Sequence, residues 1–280
     1  MFKTSLAISP TPSPFAPLLF AGEWKLGVKT ALELGFDAVE LSLRDPCDKV
    51  IPEIVSELHR SDLALSAVAT GQSYYQDGLS LTNPILEDRA KLLNRIKRFI
   101  ELVAPWAGMV ILGGVRGVLK GDQTSHNEQR LMAIDMIKAC SDIASQNGVH
   151  LLLEPINRYE TNFLNTVQEC LDLIVEANLQ NVYILADTFH MNIEEKSIGE
   201  AMLGAGEKLG YLHFSDSNRK APGQGHINFL ELTHTIKKMG YEGYISAEIL
   251  PLPDNRTAAT MAIEYYRSLD SPQPKSLILN

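Results

Sequence analysis

No stretch of this chain approaches the roughly 18 uninterrupted apolar residues that a membrane-spanning helix needs, so no membrane partner is expected. Cysteine is scarce: Cys47, Cys140 and Cys170 are odd in number, scattered and without a CxxC pair. That argues against a disulfide framework and for idle thiols in a reducing, cytoplasmic setting. Positive charge is in deficit too. Lys and Arg number 25 against 34 Asp and Glu, a formal charge of −9, the wrong sign for gripping a phosphate backbone, so no nucleic-acid partner is expected. The opening MFKTSLAIS enters a strand-like run without the apolar segment of a secretory signal. The first long loop, SPTPSPFAPLLFAG, lacks the GxGxxG of a doubly wound nucleotide-binding sheet, and no Gly/Ser-rich linker divides the chain.

What is present is alternation. Apolar runs of strand length fall near 4–8, 37–41, 64–68, 108–112, 149–153, 182–186, 210–214 and 244–248. Helix-period segments fall near 24–34, 49–60, 84–103, 125–147, 166–176, 194–208, 229–239 and 257–268. Thr82-Asn83-Pro84 offers a cap followed by a first-turn proline. Thr166 with Glu169 reads as a capping box, and Asn147-Gly148 and Met239-Gly240 stop helices before the fifth and eighth strands. Eight βα units in one uninterrupted chain predict a single (β/α)8 TIM barrel over residues 1–280, with a peripheral tail from about Leu269.

In such a barrel the strand ends gather at one mouth, where catalytic groups collect. The fifth strand ends in Glu154, the sixth in Asp187, the seventh carries His213 and the eighth ends in Glu248. Each acid taken singly reads equally well as a helix cap or an ion-paired rim residue. Four on successive strands make a hard O/N donor set for one divalent metal ion, Mn²⁺ first, with Mg²⁺, Co²⁺ or Zn²⁺ as alternatives. Without a cation, such crowded carboxylates would repel one another.

EPINRYE, ADTFHMN, LHFSDSNR and SAEI resemble the second-half motifs of the xylose isomerase-like TIM barrels, the sugar phosphate isomerases and epimerases, in their ketose 3-epimerase branch. ATGQSYYQDGLSLTNP, GGVRG, NRYETNF, DTFHMNIEE and DSNRKAPGQGH further resemble the keto-sugar-acid epimerases related to D-tagatose 3-epimerase, 5-keto-L-gluconate epimerase among them. The resemblance spans nearly the whole chain. It implies that Glu154, Asp187, His213 and Glu248 ligate the metal, and that Glu154 and Glu248 are the acid and base on opposite faces of the sugar. It also implies that Glu160, His190 and Arg219 contact substrate oxygens. The activity implied is inversion of the carbon beside the ketone of a ketose or keto-sugar acid, through an enediolate that the metal stabilises.

Two other activities stay open. A ketose–aldose isomerase, for hydroxypyruvate or a sugar phosphate, would use the same metal to move a proton between adjacent carbons. An apurinic-site endonuclease shares the barrel but adds early-strand histidines, where this chain has Ser42, Arg44, Thr70 and Gln72.

Arg44, Arg116 and Arg219 follow strands two, four and seven. Singly each reads as a surface charge; together they suggest recognition of a substrate carboxylate. Glu160 could instead pair with Arg158, and His226, in GQGHINF, is either a turn residue or a substrate contact. Gly113-Gly114 reads as close backbone packing as readily as a phosphate loop. The expected partners are a small sugar or sugar acid and further copies of the chain, as a homo-oligomer.

Overall fold

The apolar runs form eight parallel strands in a computed structural model that describes residues 2–13 and 16–270. They are β1 (Lys3–Ile8), β2 (Ala38–Ser42), β3 (Ala64–Ala69), β4 (Met109–Leu112), β5 (His150–Leu153), β6 (Val182–Asp187), β7 (Leu209–His213) and β8 (Tyr244–Ala247). Each pairs with its sequence neighbour, and β1 pairs with β8 from Lys3↔Tyr244 to Leu6↔Ala247, which closes the ring. Closure removes both sheet edges, and the near-continuous apolar strands are buried on two faces, as a parallel barrel requires.

The helices are α1 (Trp24–Leu34), α2 (Ile51–Arg60), α3 (Gly71–Asp77), α4 (Leu86–Val103), α5 (Gln123–Gln146), α6 (Val167–Glu176), α7 (Thr188–Glu194), α8 (Ile198–Ala205), α9 (Phe229–Lys238) and α10 (Asn255–Asp270). The capping box at Thr166 forms: its side chain accepts from the Glu169 amide at 3.2 Å, and Glu169 accepts from the Thr166 amide at 3.0 Å. Gly148 and Gly240 take left-handed φ values of 66° and 70° just past their helices, the conformation only glycine reaches without strain.

Three expectations shift. The Asn83 side chain accepts from the amide of Ile85, the residue just ahead of α4, so Pro84 lies outside the helix. The segment near 194–208 holds α8 alone among the α-helices, and α3 and α7 were not anticipated. Leu269 is buried within α10 rather than opening a tail. Residues 271–280, the rest of that expected tail, lie outside the described residues.

The main apolar layer lies between strands and helices, with Leu6, Val110, Leu151 and Ile184 fully buried against residues such as Ile96, Phe99 and Ile137. Inside the ring a smaller cluster of Ala67, Ile111, Leu152, Leu185 and Tyr211 fills the axis. This packed plug makes the barrel a floor under the mouth rather than a pore. No described helix is long and apolar enough to cross a membrane.

Candidate active site

Asp187 and His213 are the last residues of β6 and β7 and sit opposite each other in register. A register step between Ile184 and Leu185 sets that pairing. Glu154 and Glu248 follow immediately after β5 and β8, so the two glutamates flank the other pair around the rim. One donor atom from each of the four lies within 4.8 Å of the others. His213 Nδ1 faces Glu248 Oε2 at 3.4 Å, Asp187 Oδ2 at 3.5 Å and Glu154 Oε1 at 3.8 Å.

The two oxygens of Asp187 differ in use. Oδ1 caps α7, accepting from the Phe189 and His190 amides at 2.8 and 3.3 Å. Oδ2 and His213 Nδ1 are buried without a hydrogen-bond partner. A buried imidazole nitrogen without a hydrogen bond, and three crowded carboxylates, one of whose oxygens has only an ion pair, are what a divalent cation would satisfy, so the residues fit such an ion. The charges of the cluster are strongly interdependent. Burial, then Glu248 and Asp187, push the Glu154 carboxyl up to about 8. Burial opposes a charged His213 but is outweighed by Glu40, Glu248 and Asp187, which raise its pKa well above the ordinary value. At Glu248 and Asp187 burial is likewise outweighed, chiefly by His213 at the first and Arg219 at the second, and both carboxyls are held below the usual range.

Arg219 leans over this cluster from the loop after β7. Its backbone takes a left-handed φ of 61°, pinned by its amide on Asp216 O at 2.8 Å and by Leu250 N on its carbonyl at 2.8 Å. Its guanidinium packs on the Phe189 ring at 4.6 Å, and Nη2 meets Asp187 Oδ2 at 3.2 Å and Glu248 Oε2. Nη1 lies 3.2 Å from His190 Nε2. Burial drives the His190 pKa down to about 3, so this imidazole is neutral. Its Nδ1 lies 2.7 Å from Asn157 Nδ2, which also donates to Glu160 Oε1 at 2.9 Å. Above the cluster opens a cavity of about 630 Å³, with Ala69, Ile111, Phe189 and Leu250 on apolar walls and Ser42, Gln76 and Glu160 among its polar groups.

The structure thus brings Glu154, Asp187, His213, Glu248, His190, Arg219 and Glu160 together, and Arg158 pairs with Glu194 rather than Glu160. Three expected substrate residues lie elsewhere. Arg44 is half exposed and bound to Asp77 at 2.6 Å, because α3 carries that carboxylate to the end of β2. Arg116 is fully buried beneath the rim, donating to the carbonyls of Glu154 at 2.9 Å and Leu164 at 2.6 Å. His226 is held by Ser217 Oγ at 2.9 Å in the outer turn of its loop. None of the three lines the cavity.

Other contributors were not anticipated. Gln72 braces the mouth through Ser9 Oγ at 2.8 Å and Ser42 O at 3.1 Å, and Asn157 holds His190. Glu40, on β2, meets His213 Nε2 at 3.0 Å inside the barrel. Its signal was legible: an acid between Val39 and Leu41 in an otherwise apolar strand needs a buried partner.

A family model described as the xylose isomerase-like TIM barrel matches residues 28–269. The D-psicose 3-epimerase of Ruminiclostridium cellulolyticum is 32% identical over 234 residues, 81% of this chain and 78% of that protein. The 3-dehydro-D-guloside 4-epimerase of Escherichia coli is 28% identical over 77% of this chain and 83% of its own. The crystal structure of a D-allulose 3-epimerase from Methylomonas sp. shares the fold, with a TM-score of 0.79 and 24% identity over 96% of this chain and 99% of that one. The chain belongs to the xylose isomerase-like TIM barrel family, in its ketose 3-epimerase branch, and is a sugar epimerase.

Proposed function

We propose that the chain is a metal-dependent ketose 3-epimerase acting on an uncharged ketose, with Mn²⁺ as its first candidate ion. The observation that carries this reading is the placement of Glu154 and Glu248 on either side of Asp187 and His213, at the floor of a cavity of sugar-binding size. A divalent cation held by these four residues supplies Lewis-acid stabilisation of the negative charge that develops when a C–H bond beside a ketone is broken. Glu154 and Glu248 take the two proton-transfer roles: one removes the proton from one face of the sugar, the other returns a proton to the opposite face. His190, Glu160 and Arg219 line the same cavity and orient the sugar hydroxyls. The two relatives point the same way, since 3-epimerisation of a ketose and 4-epimerisation of a 3-dehydro sugar both invert a carbon next to a ketone.

The uncharged substrate departs from the keto-sugar-acid expectation for a physical reason. That expectation rested on three arginines at the mouth together with the resemblance in GGVRG and DSNRKAPGQGH, and Arg44 and Arg116 are committed to Asp77 and to backbone carbonyls. Arg219 is the one arginine lining the cavity among the described residues, and its Nη2 is engaged by Asp187 and Glu248. That leaves the cavity a single guanidinium, already facing two carboxylates, in place of a cluster of three.

Incubation of the Mn²⁺-loaded protein with ketohexoses and ketouronates in D₂O tests the reading. Deuterium at carbon 3 together with the epimeric ketose is the expected result. Deuterium at carbon 2 of an aldose product would make the enzyme an isomerase, and turnover of ketouronates alone would overturn the uncharged substrate.

A further inference from the structure

We propose that Glu40 is a positioning residue for the cation site, locking His213 so that its Nδ1 presents a lone pair to the ligand cluster. This rests on reading Glu154, Asp187, His213 and Glu248 as a metal site. Glu40 enters from the half of the barrel that supplies none of those four side chains. It is completely buried, its Oε2 lies 3.0 Å from His213 Nε2, and its Oε1 has no hydrogen-bond partner. His213 is the one cationic side chain within ion-pairing distance of it among the described residues.

Such a carboxylate makes poor sense as a stabilising element. A buried acid whose second oxygen has no partner costs free energy that a fully hydrogen-bonded group would not. Its geometry makes sense as a clamp. To ligate a cation, His213 must give up one of its two protons; the neutral imidazole then has one N–H and one lone pair, and an acceptor at Nε2 assigns the hydrogen to that side. The bare nitrogen is then Nδ1, the atom that faces Glu248, Asp187 and Glu154. Glu40 meets the far nitrogen and is not itself a ligand.

The surrounding backbone is shaped for this contact. The β2–β3 register steps between Val39 and Glu40, placing Glu40 opposite Ala67 and leaving Ser66 as the extra residue. Ser66 Oγ then donates to Val39 O at 3.1 Å and meets Tyr211 OH at 2.8 Å. The Tyr211 ring stands edge-on to His213 with centroids 5.8 Å apart, which limits how the imidazole can turn.

The test uses the full chain stripped of metal, with Mn²⁺ titrated calorimetrically into wild type, Glu40→Gln and Glu40→Met, and thermal unfolding of each without Mn²⁺. Losing an outer partner of a ligating histidine is expected to weaken Mn²⁺ binding by about 10–100-fold in Glu40→Met. Glu40→Gln keeps an oxygen that accepts from Nε2 and should lose less. Glu40→Met leaves the buried His213 without its partner, so its metal-free Tm is expected to fall, whereas Glu40→Gln, which keeps the contact to Nε2, should bind Mn²⁺ more weakly at a metal-free Tm near wild type, an outcome that a purely structural role does not produce. Equal Mn²⁺ affinity in Glu40→Met and wild type overturns the proposal, as does an affinity loss in Glu40→Gln that comes only with an equal loss of metal-free stability. Should Glu40→Met not fold, Glu40→Gln decides: weaker binding supports the clamp and wild-type affinity overturns it. A wild-type chain that binds no Mn²⁺ overturns the metal reading itself, and the clamp with it.

Discussion

Gly113 touches the Glu154 carboxylate so closely that a methyl group on its Cα would overlap Oε2. Glycine at the end of β4 is therefore what lets Glu154 take its place in the cluster. Gly113→Ala is expected to displace the carboxylate by a fraction of an ångström or more and to lower kcat by about 10²-fold, the usual cost of misplacing a reacting group. Steady-state kinetics at saturating Mn²⁺ checks this; a variant within threefold of wild type would show that Glu154 has room to spare.

Cation binding should be strongly pH-dependent. Burial and the neighbouring Glu248 hold the Glu154 carboxyl up to about 8, so below that pH it keeps a proton that an incoming cation must displace. The sign follows: Mn²⁺ affinity rises with pH, by at least about tenfold per unit between roughly pH 6 and 8 for one proton released. Calorimetry in buffers of different ionisation enthalpy counts the released protons directly, and a count of zero would refute the burial of Glu154 in its acid form.

Replacing either flanking glutamate should separate the two halves of the reaction. Glu154→Gln and Glu248→Gln are each expected to lower epimerisation by about 10²–10⁴-fold, while each still exchanges deuterium into one of the two epimers. Because both side chains belong to the donor set, Mn²⁺ content must be measured in each variant. Wild-type turnover by either metal-loaded variant would remove that glutamate from proton transfer.

Arg44→Met should leave substrate choice alone. Arg44 is spent on Asp77, which Arg95 also holds at 2.5 Å, so α3 keeps an anchor when Arg44 is lost. The ratio of kcat/KM for a ketouronate to that for its neutral ketose is expected to stay within about twofold of wild type, as for most exposed ion pairs. A fall in that ratio would restore Arg44 to substrate recognition.

All eight strands and the four converging donors could be read from the sequence, because a buried parallel strand is a short apolar run and a polar residue at its end stands out against it. What stayed hidden depends on long-range contacts. α3, GQSYYQD, has no apolar period; it is held by Gln72 on Ser9 and Ser42 and by Asp77 between Arg44 and Arg95. α7 begins without a loop because Asp187 caps it with the oxygen that does not face the cluster. The arginines illustrate the same limit. Chain order placed Arg44, Arg116 and Arg219 after strand ends, but their directions are set by Asp77, by the Glu154 carbonyl and by the left-handed backbone at residue 219.

The β1–β8 pairing has a consequence for how the enzyme comes into being. Glu248 follows the strand that seals the ring, so a nascent chain halted after β7 would own three of the four donors and no finished socket for them. Sealing of the cylinder and acquisition of cation competence therefore go together, and a chain that stops short of β8 has neither.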